Sequence, residues 1–127
     1  MTEKRSLMSP KAPPAIGPYS PAIRVGSWTF VSGQIGLDPV NGELISPDFR
    51  PQAEQALRNL GALCEEGGGI DRVVKITVFL TDLGDYPALN ELFVRFWRPP
   101  YPARSVVQVS ALPRGARIEI EALLGEG

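Results

Sequence analysis

"VVKITVFLTDLGDYPALNELFVRFWRPPYPARSVVQV", residues 73–109, is the stretch whose reading decides the fold. Its first part, residues 73–81, is dense in Val, Ile, Thr and Phe, the composition and length of a strand. Asp85 stands where a helix cap would, ahead of Tyr86, Leu89, Leu92, Phe93, Phe96 and Trp97, whose spacing marks the buried side of a helix over 86–97. Pro99 and Pro100 stop that helix. Residues 103–109 then return to β-branched residues. A strand, a crossover helix and a strand in this order predict a right-handed unit with parallel strands.

Outward from that unit, "IRVGSWTFVSGQI" (23–35) reads as two short strands joined at Gly26-Ser27, and Asn41-Gly42 is a second hairpin signal. Ala53, Ala56, Leu57, Leu60, Leu63 and Cys64 form one apolar helical stripe. Asp48 is its expected N-cap, Pro51 falls in its first turn and Gly67-Gly68-Gly69 ends it. Cys64, on that stripe, reads as a small core residue. "RIEIEALL" (117–124) is a last strand, with Ile118, Ile120, Ala122 and Leu124 facing one way and Arg117, Glu119 and Glu121 the other. The order ββ(β)αβαββ predicts an α+β fold, a single-domain mixed β-sheet with two helices on one face. Residues 1–127 read as one domain, with 1–11 loose. The uncovered face would carry Phe30 or Val31 and Val106 or Val107, depending on register, and so predicts a homo-oligomer.

Composition excludes several function classes. The net charge of −1 offers no cationic stripe for nucleic acid. No apolar run approaches the roughly 20 residues of a membrane span. "MTEKRSLMSP" has no hydrophobic segment behind its charged start, so no secretion signal is read and the expected location is cytoplasmic. With no histidine, Ser-His-Asp and Cys-His catalysis and histidine metal sites are out, and the single cysteine has no internal disulfide partner.

"AIGPYS" (15–20), "VSGQI" (31–35), "ALRNLGALCEEGGG" (56–69), "VVKITVFLTDLGDYPALN" (73–90), "YPARSVVQVSALP" (101–113) and "IEIEALL" (118–124) follow in the order and spacing of the YjgF/RidA family, also called L-PSP, which the chain resembles from about residue 12 onward. The resemblance implies a chorismate-mutase-like trimer with clefts between subunits. It implies hydrolysis of enamines and imines of 2-amino acids to 2-oxo acids and ammonia, with no metal and no cofactor. By the same resemblance Arg104 and Glu119 are the catalytic pair, and Tyr19, Ser32, Gly33, Asn90 and Phe93 are substrate-binding residues.

The chemistry of these residue types fits that assignment. The arginine fork matches a carboxylate, by two charge-assisted hydrogen bonds; a structural salt bridge at a strand end is the competing reading of Arg104. A carboxylate at Glu119 can hold and deprotonate the attacking water; Glu121 reads as solvated. If Val109 pairs with Arg117, Glu119 lies opposite Val107 and on the other face from Arg104. Either a bulge or a site shared between subunits would then bring them together, and the second is preferred. Val106 stands where a cysteine is frequent in the family, Phe93 where an aromatic hydroxyl is, and Pro21 where a glutamine is. A non-catalytic module holding a 2-oxo acid or amino acid in the same cleft is the alternative function. Ribonuclease and chaperone readings find no support in the residues.

Overall fold

The two β-branched runs of residues 73–109 form parallel neighbours, with Ile76 opposite Arg104 and Phe79 opposite Val107, in the computed structural model, which describes residues 3–125. In chain order the strands are β1 (Lys4–Leu7), β2 (Ala22–Val25), β3 (Trp28–Gln34), β4 (Val73–Leu80), β5 (Ala103–Gln108) and β6 (Ile118–Leu124), and the helices are α1 (Phe49–Glu66) and α2 (Tyr86–Phe93). One mixed sheet runs β1-β2-β3-β6-β4-β5, with every pairing except β4–β5 antiparallel. Both helices pack into the core over one of its faces. No helix among the described residues is long and apolar enough to cross a membrane.

Three expectations are corrected. β5 and β6 are not neighbours: β6 crosses to lie between β3 and β4. The reason lies in the two strands' side chains. Ile118, Ile120 and Leu124 of β6 are wholly buried, each contributing about 1.5–3 kcal/mol, so β6 belongs in the centre. β5 leaves Ala103, Ser105 and Val107 exposed and takes the edge. The chain start is not loose throughout, because Lys4–Leu7 pairs with β2. Asn41-Gly42 makes a turn, with Gly42 at φ 74°, but only an isolated Leu37–Leu44 bridge flanks it instead of a strand pair.

The helices carry smaller corrections. The apolar stripe of α1 is buried as its spacing predicts, and burial, then Glu65, pushes the Cys64 thiol up to about 12. Asp48 occupies the cap position without a side-chain bond. α2 ends at Phe93 and continues as turns, in which Trp97 packs on Phe93 with ring centroids 4.5 Å apart and donates to the Ile70 carbonyl. Asp85 occupies the cap position of α2 without a side-chain cap bond, its carboxylate pairing with Arg117 at 3.0 Å, and Asp82 caps the preceding 3-10 turn by accepting from Gly84 N–H. Tyr86, placed on the buried side by its spacing, is 40% exposed.

Two buried polar residues of α1, Gln52 and Asn59, tie the helix to the sheet's irregular end. The Asn59 amide donates to the Ile35 and Leu37 carbonyls; Gln52 donates to Ser46 and accepts from Arg117 N–H at the entrance to β6. Gln55 in turn donates to Asn59 Oδ1, so both buried amides are paired at nitrogen and oxygen, and the start of β6 is held where Glu119 emerges.

Candidate functional site

Alternation along β5 and β6 decides where the two principal side chains go. Ile76 and Ile120 are both wholly buried beneath the helices, so Arg104, opposite Ile76, is on the helix side. Glu119, next to Ile120 in sequence, is on the open side. Their opposition, expected from a β5–β6 pairing, holds although β4 intervenes: Glu119, Phe79 and Val107 form one row across the open face. Bulges exist in β3 at Ser32 and Gly33 and in β4 at Val74, outside the paired rows of Arg104 and Glu119, and they leave the two faces unchanged.

Around Arg104 the structure assembles a polar and aromatic cluster. Its Nη2 donates to the Asn90 side-chain oxygen at 2.9 Å and to the Tyr86 hydroxyl at 3.0 Å. Its guanidinium carbon lies 4.7 Å from the Phe93 ring centre and 5.5 Å from that of Tyr86, within cation–π range. No carboxylate among the described residues forms a salt bridge with it, whereas Arg50, Arg58 and Arg117 each have one. The salt-bridge reading of Arg104 therefore finds no partner among these residues. Beside it lies a hollow of about 270 Å³ lined by Asn90, Phe93, Val94, Tyr101, Pro102 and Arg104.

Around Glu119 lies a second, separate hollow. A hollow of about 60 Å³ is lined by Tyr19, Pro21, Gly33, Ile35, Pro113 and Glu119 among others. Burial, then the nearby Glu121 charge, raises the Glu119 pKa above its ordinary value. Gly33 is required sterically: a Cβ there would come within 2.6 Å of Glu119 Oε2. Gly33→Ala is expected to displace the carboxyl group and lower turnover about tenfold or more, with a Tm drop of a few degrees, read by a steady-state assay and thermal melting. Ser32 lies beside this hollow but its hydroxyl donates to the Ser20 carbonyl at 2.6 Å, and its N–H donates to the Pro21 carbonyl. It pins the 15–22 segment that carries Tyr19, whose own hydroxyl accepts from Ile16 N–H.

The structure thus gathers Arg104, Asn90 and Phe93 in one place and Glu119, Gly33 and Tyr19 in another, with Ser32 bracing the second. Tyr101 and Pro113 were not singled out in the sequence, and Tyr86 was read only as a residue of the buried helix side. For Tyr86 a signal existed, since positions 86, 90 and 93 share one helical face. No group of three or more metal-ligating side chains occurs among the described residues.

The comparisons with known proteins agree with this architecture. The family model described as Endoribonuclease L-PSP matches residues 9–124. A 2-iminobutanoate/2-iminopropanoate deaminase of Homo sapiens is 44% identical over 125 residues, covering 98% of this chain and 91% of the relative. RidA from the Antarctic bacterium Psychrobacter is 48% identical with a TM-score of 0.91, covering 95% of this chain and 98% of that one. TdcF of E. coli, solved with bound serine, is 38% identical with a TM-score of 0.90, covering 97% and 99%. The chain belongs to the L-PSP family, the group that also bears the names YjgF and RidA.

Proposed function

We propose that this protein is a deaminase of 2-imino acids and their enamine tautomers, working without metal or cofactor in clefts between the subunits of a homotrimer. The observation that carries the reading is the split site. A fixed cation faces one side of the sheet and a half-buried carboxyl the other, each in its own hollow. A second copy laid on the open face supplies the missing half. That face exposes Phe30 at 48% and Val107 at 43%, apolar surface that an interface would cover.

In the complete cleft Arg104 binds the substrate carboxylate and sets the imine carbon before the partner copy's carboxyl. Water adds through oxygen to that carbon while Glu119 accepts its proton. The protonated Glu119 then returns that proton to the carbinolamine nitrogen, the C–N bond breaks as the hydroxyl proton passes back to the Glu119 carboxylate and the carbonyl forms, and ammonia and a 2-oxo acid leave. An enamine first takes a proton on carbon to become the imine. No oxidant or reductant enters. The raised pKa of Glu119 makes its carboxyl a better proton acceptor than an ordinary carboxylate, in keeping with a group that both takes and gives a proton.

The serine bound in the TdcF structure favours a second reading, a module that holds amino or oxo acids without turnover. RNA cleavage, named in the family description, fits less well: a phosphodiester track calls for a line of cations, and neither hollow is lined by more than one. The test supplies 2-iminobutanoate, generated in situ by a dehydratase, and follows 2-oxobutanoate release; light scattering at micromolar concentration gives the mass. Release above buffer by a particle three times the 13.8 kDa chain is expected. Release equal to buffer overturns the enzyme, and a monomer overturns the shared cleft.

A further inference from the structure

We infer that Tyr86 is a positioning residue for Arg104, its phenol oxygen and the Asn90 amide oxygen together holding one guanidinium nitrogen so that the cation stays aimed at a 2-imino or 2-oxo carboxylate. The inference rests on the proposed function and deepens it. Arginine Nη2 carries two hydrogens. Tyr86 Oη at 3.0 Å and Asn90 Oδ1 at 2.9 Å take one each. The Nε and Nη1 hydrogens have no acceptor among the described residues and remain for a ligand; because Nη2 belongs to both parallel donor pairs of the guanidinium, a carboxylate takes a single charge-assisted bond from Nη1 or Nε rather than a bidentate pair.

Both acceptors are neutral. They orient the cation without cancelling its charge, which a carboxylate partner in the same place would do. Tyr86, Asn90 and Phe93 come from one face of α2, so a single rigid element supplies two acceptors and the aromatic face on which the guanidinium rests. A free arginine gives up much rotamer freedom when it grips a ligand. Holding it beforehand removes that cost from binding. The sequence resemblance leads one to expect an aromatic hydroxyl at position 93, which phenylalanine cannot supply; here a hydroxyl reaches Arg104 from position 86. Tyr86 itself is not among the residues lining the Arg104 hollow. Its effect therefore passes through Arg104, and it is not a catalytic residue.

Tyr86→Phe removes only the hydroxyl. With 2-iminobutanoate generated in situ, KM is expected to rise about three- to tenfold while kcat stays within about twofold; the bond is partly solvent-exposed, which keeps the effect below that of a buried charged pair. The Kd of 2-oxobutanoate by calorimetry should rise by the same factor, and Tm should stay within about 2 °C. An unchanged KM and Kd overturn the inference. So does a fall in kcat at constant KM, or a loss confined to Tm, which a merely structural tyrosine would give. Wild type that neither turns over nor binds sinks the proposed function and this inference with it. Wild type that turns over, with Tyr86→Phe indistinguishable from it, sinks the inference alone.

Discussion

Arg104→Ala is expected to lower kcat/KM for 2-iminobutanoate by about thirty- to several-thousand-fold, as measured by 2-oxobutanoate release. Loss of one member of a desolvated, hydrogen-bonded charge pair costs about 2–5 kcal/mol, and each 1.4 kcal/mol is tenfold. The effect should fall near the top of that range. The substrate carboxylate would lose its cation and also the anchor that aims its imine carbon, so binding and orientation fail together. Arg104→Lys should recover part of the loss, because charge returns but the planar fork and its stacking on Phe93 do not. Folding should be little affected. Arg104 lies on an edge strand and its hydrogen bonds go to the half-exposed Tyr86 and to Asn90. A variant with wild-type kcat/KM would remove Arg104 from the site.

Glu119→Gln is expected to cut kcat by about 10²–10⁴-fold, the usual contribution of a placed general base, while the Kd of 2-oxobutanoate changes only a few-fold. Retained turnover would remove Glu119 from the chemistry, whereas unchanged 2-oxobutanoate affinity in a protein whose wild type shows no turnover would favour the binding-module reading of the cleft. The same carboxyl fixes the pH behaviour. Burial first, and Glu121 second, raise its pKa above the ordinary 4.5. In the proposed role as base it must be ionised, so kcat should fall as pH drops through its raised pKa. Stability runs the other way. A raised folded-state pKa means the native protein holds this proton more tightly than the unfolded chain, so the group's contribution is complete below the unfolded value and is lost as pH rises through the folded one. At neutral pH the ionised carboxylate is therefore a cost. Glu119→Gln should melt at or above the wild-type Tm at pH 7, and the gap should close toward pH 4. A lower Tm at pH 7 would contradict the raised pKa.

Much of this molecule was legible from residue order. The parallel β4–β5 pair follows from a strand, a helical stretch and a second strand, because only a crossover connects them. The α1 stripe is buried as spaced, and the Gly26-Ser27 turn joins β2 to β3 with Val25 opposite Trp28. Other features were not legible because a linear pattern does not report the competing partner. Asp85 looks like a cap, yet Arg117 from a distant strand captures it. Tyr86 has the spacing of a core residue, yet its hydroxyl is drawn to the Arg104 guanidinium. Ser32 reads as a free hydroxyl until the Ser20 carbonyl comes within 2.6 Å.

By itself the sequence determined which residues alternate, which face each takes along its own strand, and hence that Arg104 and Glu119 carry opposite charges on short, well-patterned elements. The period of a strand is two whatever its neighbours are, so facing is a local property. Only the tertiary structure decided that β6 sits between β3 and β4, that Gly33 must lack a Cβ to admit Glu119, and that Tyr86 and Asn90 share one nitrogen of Arg104. Strand order and contact depend on which apolar surfaces win the centre of the sheet, a competition among segments far apart in the chain.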